Sequence, residues 1–276
     1  MKPQVAGSLM VLSSLAIFST FGISTRFLGL NPVIIVFFYA VSAAPAFFVI
    51  SCARFRGVRW LRDPAWPRYL LVAAVLCVDL ALLLYAYSKT SMARTAFLHF
   101  AGPVWIILVS KRDGRLLTDL GLAAAALFGV ACVFSGRSGT ADILGDTAAF
   151  LSSFTLAGNV LAQKAASPRN AIPVVGFFYA FFMAALLLPV VLMLPLGHIP
   201  TSIVPLGVLY LCLGTGLYNL GVRRIAAKTA GIFGYFEVFL ASIWGILFFG
   251  ERLLWLAVVG MVTIAAVNAI NLWRQG

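Results

Sequence analysis

Stretches of about twenty residues with almost no charge follow one another along this chain, separated by short links. A run of that length spans the roughly 30 Å hydrocarbon core of a bilayer as one helix. No water reaches that core to satisfy backbone N–H and C=O groups, so only helices and closed barrels can cross it. A barrel reads as alternating segments of about ten residues; these runs are continuous and about twice as long. The 276 residues are 62% hydrophobic and only 10% charged, with a mean hydropathy of +1.04. Soluble domains are roughly half apolar and about a quarter charged, so a soluble fold is excluded. The fold class expected is an all-α polytopic membrane protein.

The pattern predicts ten spans, at 5–28, 31–53, 67–88, 91–110, 116–135, 145–166, 171–195, 203–221, 229–249 and 254–273. Very short links, as at Asn31-Pro32 and Lys89-Thr90, force antiparallel neighbours and one compact bundle. With the N-terminus inside, fifteen of the twenty Lys and Arg residues fall on the cytoplasmic side. These include Arg54, Arg56, Arg59, Arg62 and Arg68 in one link, and Arg223, Arg224 and Lys228 in another. The outer side receives Arg26, Lys89, Arg94, Arg137 and Arg252. The bias places both termini in the cytoplasm and accounts for most of the net charge of +12 without nucleic acid. The first run follows a short start carrying Lys2. It is too long for a signal-peptide core and has no clear cleavage site, so it reads as a retained span.

Ala93-Arg94-Thr95-Ala96 and Ala227-Lys228-Thr229-Ala230 are near-copies, each in a short basic link, after spans 3 and 8 respectively. Five spans is an odd number, so the copies face opposite sides of the membrane. The reading is two inverted five-helix repeats around a central cavity, 1–140 and 141–276, an arrangement shared by many secondary transporters.

Three ionisable groups sit deep in spans. Asp79 is near the middle of span 3, and His99 and Glu237 lie eight residues into spans 4 and 9, roughly 12 Å at about 1.5 Å per residue. A charge at mid-bilayer depth facing lipid costs at least about 2.5 kcal/mol, so such groups face the bundle interior or a wet cavity. The competing reading is a helix–helix hydrogen bond for each. Asn159 and Gln163, four apart, share a face of span 6, and Asn219 lies in span 8. With His99, Tyr235 and Glu237 they form the candidate substrate site. Glu237 and Asp79 are the candidates for proton coupling. Pro103 in span 4, after Gly102, and Gly214 and Gly216 in span 8 are candidate hinges; Pro45, Pro189 and Pro195 read equally as plain kinks. Trp60, Trp66, Trp255 and Trp273 near span ends read as interface anchors. Trp105 and Trp244, inside spans, read as packing residues.

Cys52, Cys77, Cys132 and Cys212 lie in or beside apolar runs, in no paired motif and with no His beside them, so neither disulfide nor metal site is expected. No HExxH, GxSxG, GxxxxGK[ST] or CxxC pattern occurs, and no loop is long enough for a nucleotide. No enzyme activity and no cofactor are expected. The energy source is then a gradient.

Three stretches carry a family resemblance: "FSTFGISTRFLGLNPVIIVFFYAVSA", "YSKTSMARTAFLHFAGPVW" and "GYFEVFLASIWGILFFGERL". They resemble the ten-span EamA-type members of the drug/metabolite transporter superfamily. The first span and "LYNLGV" are most similar to the YddG-type exporters of aromatic amino acids. The resemblance implies two inverted repeats around a cavity and export of small metabolites across the bacterial inner membrane. Glu237 matches the family's span-9 glutamate and Pro103 its span-4 proline. Val238 stands where a proline usually follows the glutamate, and Tyr39 where many members carry a span-2 arginine. The function expected is export of aromatic or neutral amino acids by alternating access, from a monomer whose partners are a small-molecule substrate and the lipid bilayer. A multidrug or other metabolite exporter is the alternative; a non-transporting scaffold or an intramembrane enzyme is the reading from outside transport.

Overall fold

The computed structural model describes residues 2–90, 92–110, 114–135, 142–166, 172–250 and 254–275. The basic residues Lys111, Arg112, Arg137, Arg169 and Arg252, and Glu251, lie outside the described residues. Among the described residues the secondary structure is helical throughout. The chain is an all-α polytopic membrane protein, and seven helices are by themselves long and apolar enough to cross a bilayer: Pro32–Phe55, Trp66–Ala86, Leu116–Val133, Ile172–Leu192, Ile203–Val222, Ala227–Phe248 and Trp255–Trp273.

The order is α1 (Pro3–Ser19), α2 (Phe21–Leu28), α3 (Pro32–Phe55), α4 (Trp66–Lys89), α5 (Met92–His99), α6 (Gly102–Val109), α7 (Leu116–Val133), α8 (Ile143–Ala166), α9 (Ile172–Leu192), α10 (Ile203–Gly207), α11 (Thr215–Val222), α12 (Ala227–Phe249) and α13 (Trp255–Trp273). A π-helical segment, Val208–Gly214, joins α10 to α11. Local chemistry sets several boundaries. Asn31 caps α3 by accepting the Val33 N–H at 2.9 Å, with Pro32 in the first turn. Asp142 caps α8 through the Gly145 N–H at 2.8 Å. Gly250, at φ 61°, ends α12 in the left-handed conformation that glycine adopts without strain. Inside the spans, serine and threonine hydroxyls return to carbonyls three or four residues back, as Ser152 does to Ala149 and Ser42 to Phe38, so these groups are satisfied away from water.

The helices pack in recognisable pairs. α4 packs on α8, α1 on α11, α3 on α9 and α7 on α13. α5 and α6 lean on α8, α1 leans on α12, and α6 meets α12. Glycine permits the closest approaches: a Cβ on Gly221 would come within 2.6 Å of the Gly7 carbonyl, joining α1 to α11. Small residues at helix crossings are the usual means of tight packing in lipid, where no hydrophobic force separates helix from solvent.

The tryptophans divide by depth. Trp66, Trp255 and Trp273 are exposed, as interface anchors are. Trp60 is not: it is buried against Phe48, Phe177 and Phe178, because the link after α3 folds back as a 3₁₀ turn (Arg59–Arg62) onto the α3–α9 core. Trp105 stacks on Phe154 and donates to Ser153 Oγ at 2.8 Å; Trp244 donates to Ser19 Oγ at 2.9 Å. Both are packing residues. α9 ends at Leu192, so Pro195 lies beyond the helix, whereas Pro45 and Pro189 are inside theirs.

Candidate functional site

Glu237 stands mid-helix in α12 and is half-buried. Among the described residues no hydrogen bond or ion pair reaches its carboxylate, and the buried Tyr218 phenol of α11 lies within its electrostatic reach. Gly234 is one turn earlier on the same face. A methyl group on Gly234 would meet no atom within 4 Å, and the same holds at Gly216, one turn before Asn219 on α11. Both glycines are half-buried, so open space adjoins the acid and the amide. The opposite side of α12 carries an apolar groove. Phe239, two residues on and about 200° around the helix, lines an apolar groove of about 530 Å³ with Val258, Met261 and Val262 of α13. Val258 and Val262 are exposed on the outside of the bundle.

α8, α11 and α12 come together beside this face. Ala157 and Val160, Tyr218 and Val222, and Phe233 bury one another in a single cluster with Val11 of α1 and Ile106 of α6. Asn159 and Gln163 project from the same stretch of α8. Gln163 Nε2 donates to Asn159 Oδ1 at 3.1 Å, while Gln163 Oε1 is buried without a described partner. Asn219 is buried and donates to the Thr215 carbonyl at 3.0 Å. At the end of this region Lys164 donates to the carbonyls of Val222 and Ile225, closing the C-terminus of α11.

Two expected site residues sit elsewhere. Tyr235 does not line the space beside Glu237. Two residues apart on a helix means nearly opposite faces, and Tyr235 is buried among Ile107, Ala126, Val130 and Ile264 between α6, α7 and α13. Its hydroxyl has no described partner. His99 does not join Glu237 either. It ends α5 against α8, with Nδ1 at 2.9 Å from Ser152 Oγ and 4.0 Å from Asp79 Oδ1. Asp79 accepts from Thr155 Oγ1 at 2.6 Å. Asp79, His99, Ser152 and Thr155 thus form a second polar cluster, between α4, α5 and α8. The two acids lie in separate surroundings, so they form no paired-carboxylate centre.

Ser152 and Thr155 were not singled out from the sequence. The signal was present: Ser152, Thr155, Asn159 and Gln163 follow at intervals of three, four and four, one continuous polar stripe along α8.

Of the three candidate hinges, Pro103 and Gly214 adjoin irregular backbone and Gly216 does not. α5 stops at His99 and α6 restarts at Gly102-Pro103, where proline removes a backbone donor. Gly214 closes the π segment; its carbonyl accepts from Ser14 Oγ at 2.8 Å, and a Cβ there would meet Phe18 at 2.7 Å. Gly216 lies within regular α11. Among the described residues no group of three or more His, Cys, Asp or Glu could hold a metal ion.

Residues 143–272 match the EamA-like transporter family. The match runs from the start of α8 to within a residue of the end of α13 and includes Asn159, Gln163, Asn219 and Glu237. One solved structure, titled only as the crystal structure of a protein, superposes with a TM-score of 0.80 over 97% of this chain and 98% of that chain, at 16% identity. At that identity the likeness is one of fold. No curated protein matches the chain.

Proposed function

We propose that this protein is a carrier of the drug/metabolite transporter superfamily, and that it exports amino acids, aromatic or neutral, or similar small metabolites across the bacterial inner membrane by alternating access. The observation that carries the reading is the half-buried, unpaired Glu237, one turn from the open Cβ position of Gly234 and on the side of α12 opposite the apolar groove. A free amino acid has an ammonium that a carboxylate accepts and a carboxylate that amide N–H groups satisfy. Glu237 supplies the first and Asn219, Asn159 and Gln163 the second. The family match over residues 143–272 supports transport as the general class.

Ten spans in two inverted repeats, 1–140 and 141–276, fit the packing. α1 with α2 makes one span, as do α5 with α6 and α10 with α11. Exchanging the halves then carries the α4–α8 pair onto α11–α1, and α6–α8 onto α12–α1; α3–α9, α7–α13 and α6–α12 map onto themselves. Short sequence matches recur at offsets of 139 or 140 residues: Leu12-Ser13-Ser14 with Leu151-Ser152-Ser153, Phe37-Phe38-Tyr39-Ala40 with Phe177-Phe178-Tyr179-Ala180, and Trp105 with Trp244. Both termini would face the cytoplasm.

The test is uptake of a panel of radiolabelled amino acids into proteoliposomes holding the purified full chain, with Glu237→Gln alongside. Uptake of at least one amino acid by the wild type, lost in the variant, is expected. Uptake unchanged in Glu237→Gln removes the acid from the mechanism. Uptake of lipophilic cations in place of amino acids favours the multidrug alternative.

A further inference from the structure

We propose that Asp79 and His99 together form a proton-binding site, separate from the Glu237 face, through which transport is driven by a proton gradient; this rests on the carrier reading above. The site is built from four side chains on three helices. Thr155 Oγ1 donates to Asp79 Oδ1 at 2.6 Å, which fixes the carboxyl group. The Ser152 hydroxyl lies 2.7 Å from the Ala149 carbonyl and 2.9 Å from His99 Nδ1, and the imidazole's tautomer sets which of the two it donates to. The imidazole is held with Nδ1 at 4.0 Å from Asp79 Oδ1, a separation at which one proton added to the pair is felt by both members.

The surroundings leave this pair to balance its own charge. Asp79 is 5% exposed and His99 8%. Among the described residues no lysine or arginine pairs with Asp79. From α9 the group facing it is the Tyr179 phenol, which also faces Cys77 of α4. On α8 the ionisable neighbours are engaged elsewhere: Asp146 with Arg94 and Thr90, Lys164 with the end of α11. On α7, Asp119 is held by Lys228 and Arg274. A buried acid beside an imidazole, with no fixed counter-charge, changes its net charge only by taking or releasing a proton.

The same stripe of α8 that builds the pair continues to the candidate substrate face. From Ser152 to Gln163 is eleven residues, about 16 Å of helix, and Asn159 and Gln163 lie at its far end. A rotation or shift of α8 therefore disturbs both sites at once. In the other half the counterparts carry neither group: at an offset of 139 or 140 residues Asp79 corresponds to Tyr218 or Asn219, and His99 to Val238 or Phe239. Only one half of the bundle, among the described residues, thus carries an acid and an imidazole at this kind of contact.

Two measurements test this with the full chain in phosphatidylcholine vesicles. The first needs no substrate: infrared difference spectra recorded across pH steps. A protonated carboxyl C=O band that titrates with pH is expected. It should be absent in Asp79→Asn, kept in Glu237→Gln, and displaced in midpoint by about one pH unit or more in His99→Gln, where the neighbouring imidazole is gone. Asparagine keeps an oxygen for Thr155, and the His99 variant reads the pair independently should Asp79→Asn not fold. A titrating band that survives Asp79→Asn, or a midpoint unmoved by His99→Gln, overturns the proposal.

The second measurement reads coupling. For one proton exchanged per substrate, a one-unit acid-inside gradient raises accumulation of a transported amino acid about tenfold. The wild type should show this rise and Asp79→Asn should not. Wild-type counterflow of labelled amino acid with no response to the gradient overturns the coupling and leaves the carrier reading standing. Absence of counterflow for the whole panel strikes the amino-acid carrier reading, and the infrared result still decides the proton site.

Discussion

Lys228 Nζ lies 2.7 Å from Asp119 Oδ2, and the same carboxylate holds Arg274 Nη1 at 2.8 Å. One acid at the start of α7 ties together the start of α12 and the end of α13. The side chains are largely buried, at 5%, 13% and 16% exposure, so the contact is little screened by salt. Removing the acid leaves two cations facing each other. Asp119→Ala is expected to destabilise the fold by about 3 kcal/mol, read as a lower unfolding midpoint in detergent micelles. The double variant Asp119→Ala/Lys228→Ala should recover part of the loss. A midpoint unchanged in the single variant would show that the cluster contributes no stability.

Gly260 and Gly129 set the distance between α13 and α7. A Cβ on Gly260 would collide with the Gly129 carbonyl and stand 2.8 Å from the Val133 nitrogen. These are backbone atoms, which cannot swing aside. Gly260→Ala should therefore cost about 1–3 kcal/mol through overpacking. Gly121→Ala, on an exposed part of α7 with nothing within 4 Å, should be neutral or slightly stabilising, since alanine is the better helix former. Thermal unfolding of the two variants side by side checks the pair.

Gly234 gives the opposite expectation. Because nothing stands near its Cβ position, Gly234→Leu should leave the unfolding midpoint close to that of the wild type. Its side chain would enter the space beside Glu237. Uptake of amino acid in proteoliposomes should fall about tenfold or more, the scale on which one or two methylenes decide occupancy of a pocket. Full transport by Gly234→Leu would mean that the open face is not on the substrate path.

Lys164 closes the end of α11 by donating to the Val222 and Ile225 carbonyls. Lys164→Met keeps most of the apolar stem and removes the donor, leaving helix-end carbonyls without this partner. A loss of about 1–2 kcal/mol is expected, given the net worth of a charged hydrogen bond. Hydrogen exchange of the amides in 222–228 should speed up while that of α3 and α9 stays the same.

Local hydrophobicity and local hydrogen bonding set the helices of this protein before any of them meets a partner. An apolar run partitions into lipid whatever its partners are, and its backbone must then be helical. The helices therefore fall close to their expected bounds, and the breaks before Pro103 and near Gly214 are where helix-breaking residues stand. The polar face of α8 was legible for the same reason, since Asn159 and Gln163 are one turn apart on a single helix.

Which of these groups meet follows from the packing of the bundle. Tyr235 and Glu237 are neighbours in sequence yet point to opposite sides of α12, because a helix turns about 100° per residue and its rotation about its axis is set by its contacts with α6, α7 and α13. His99 found Asp79 rather than Glu237 because α5 packs on α8. Trp60 is buried because its link folds back over α3 and α9. Each of these outcomes depends on how closely helices approach, and that is governed by contacts such as Gly7 with Gly221 and Gly129 with Gly260. Those partners stand more than a hundred residues apart and are joined only when the bundle closes.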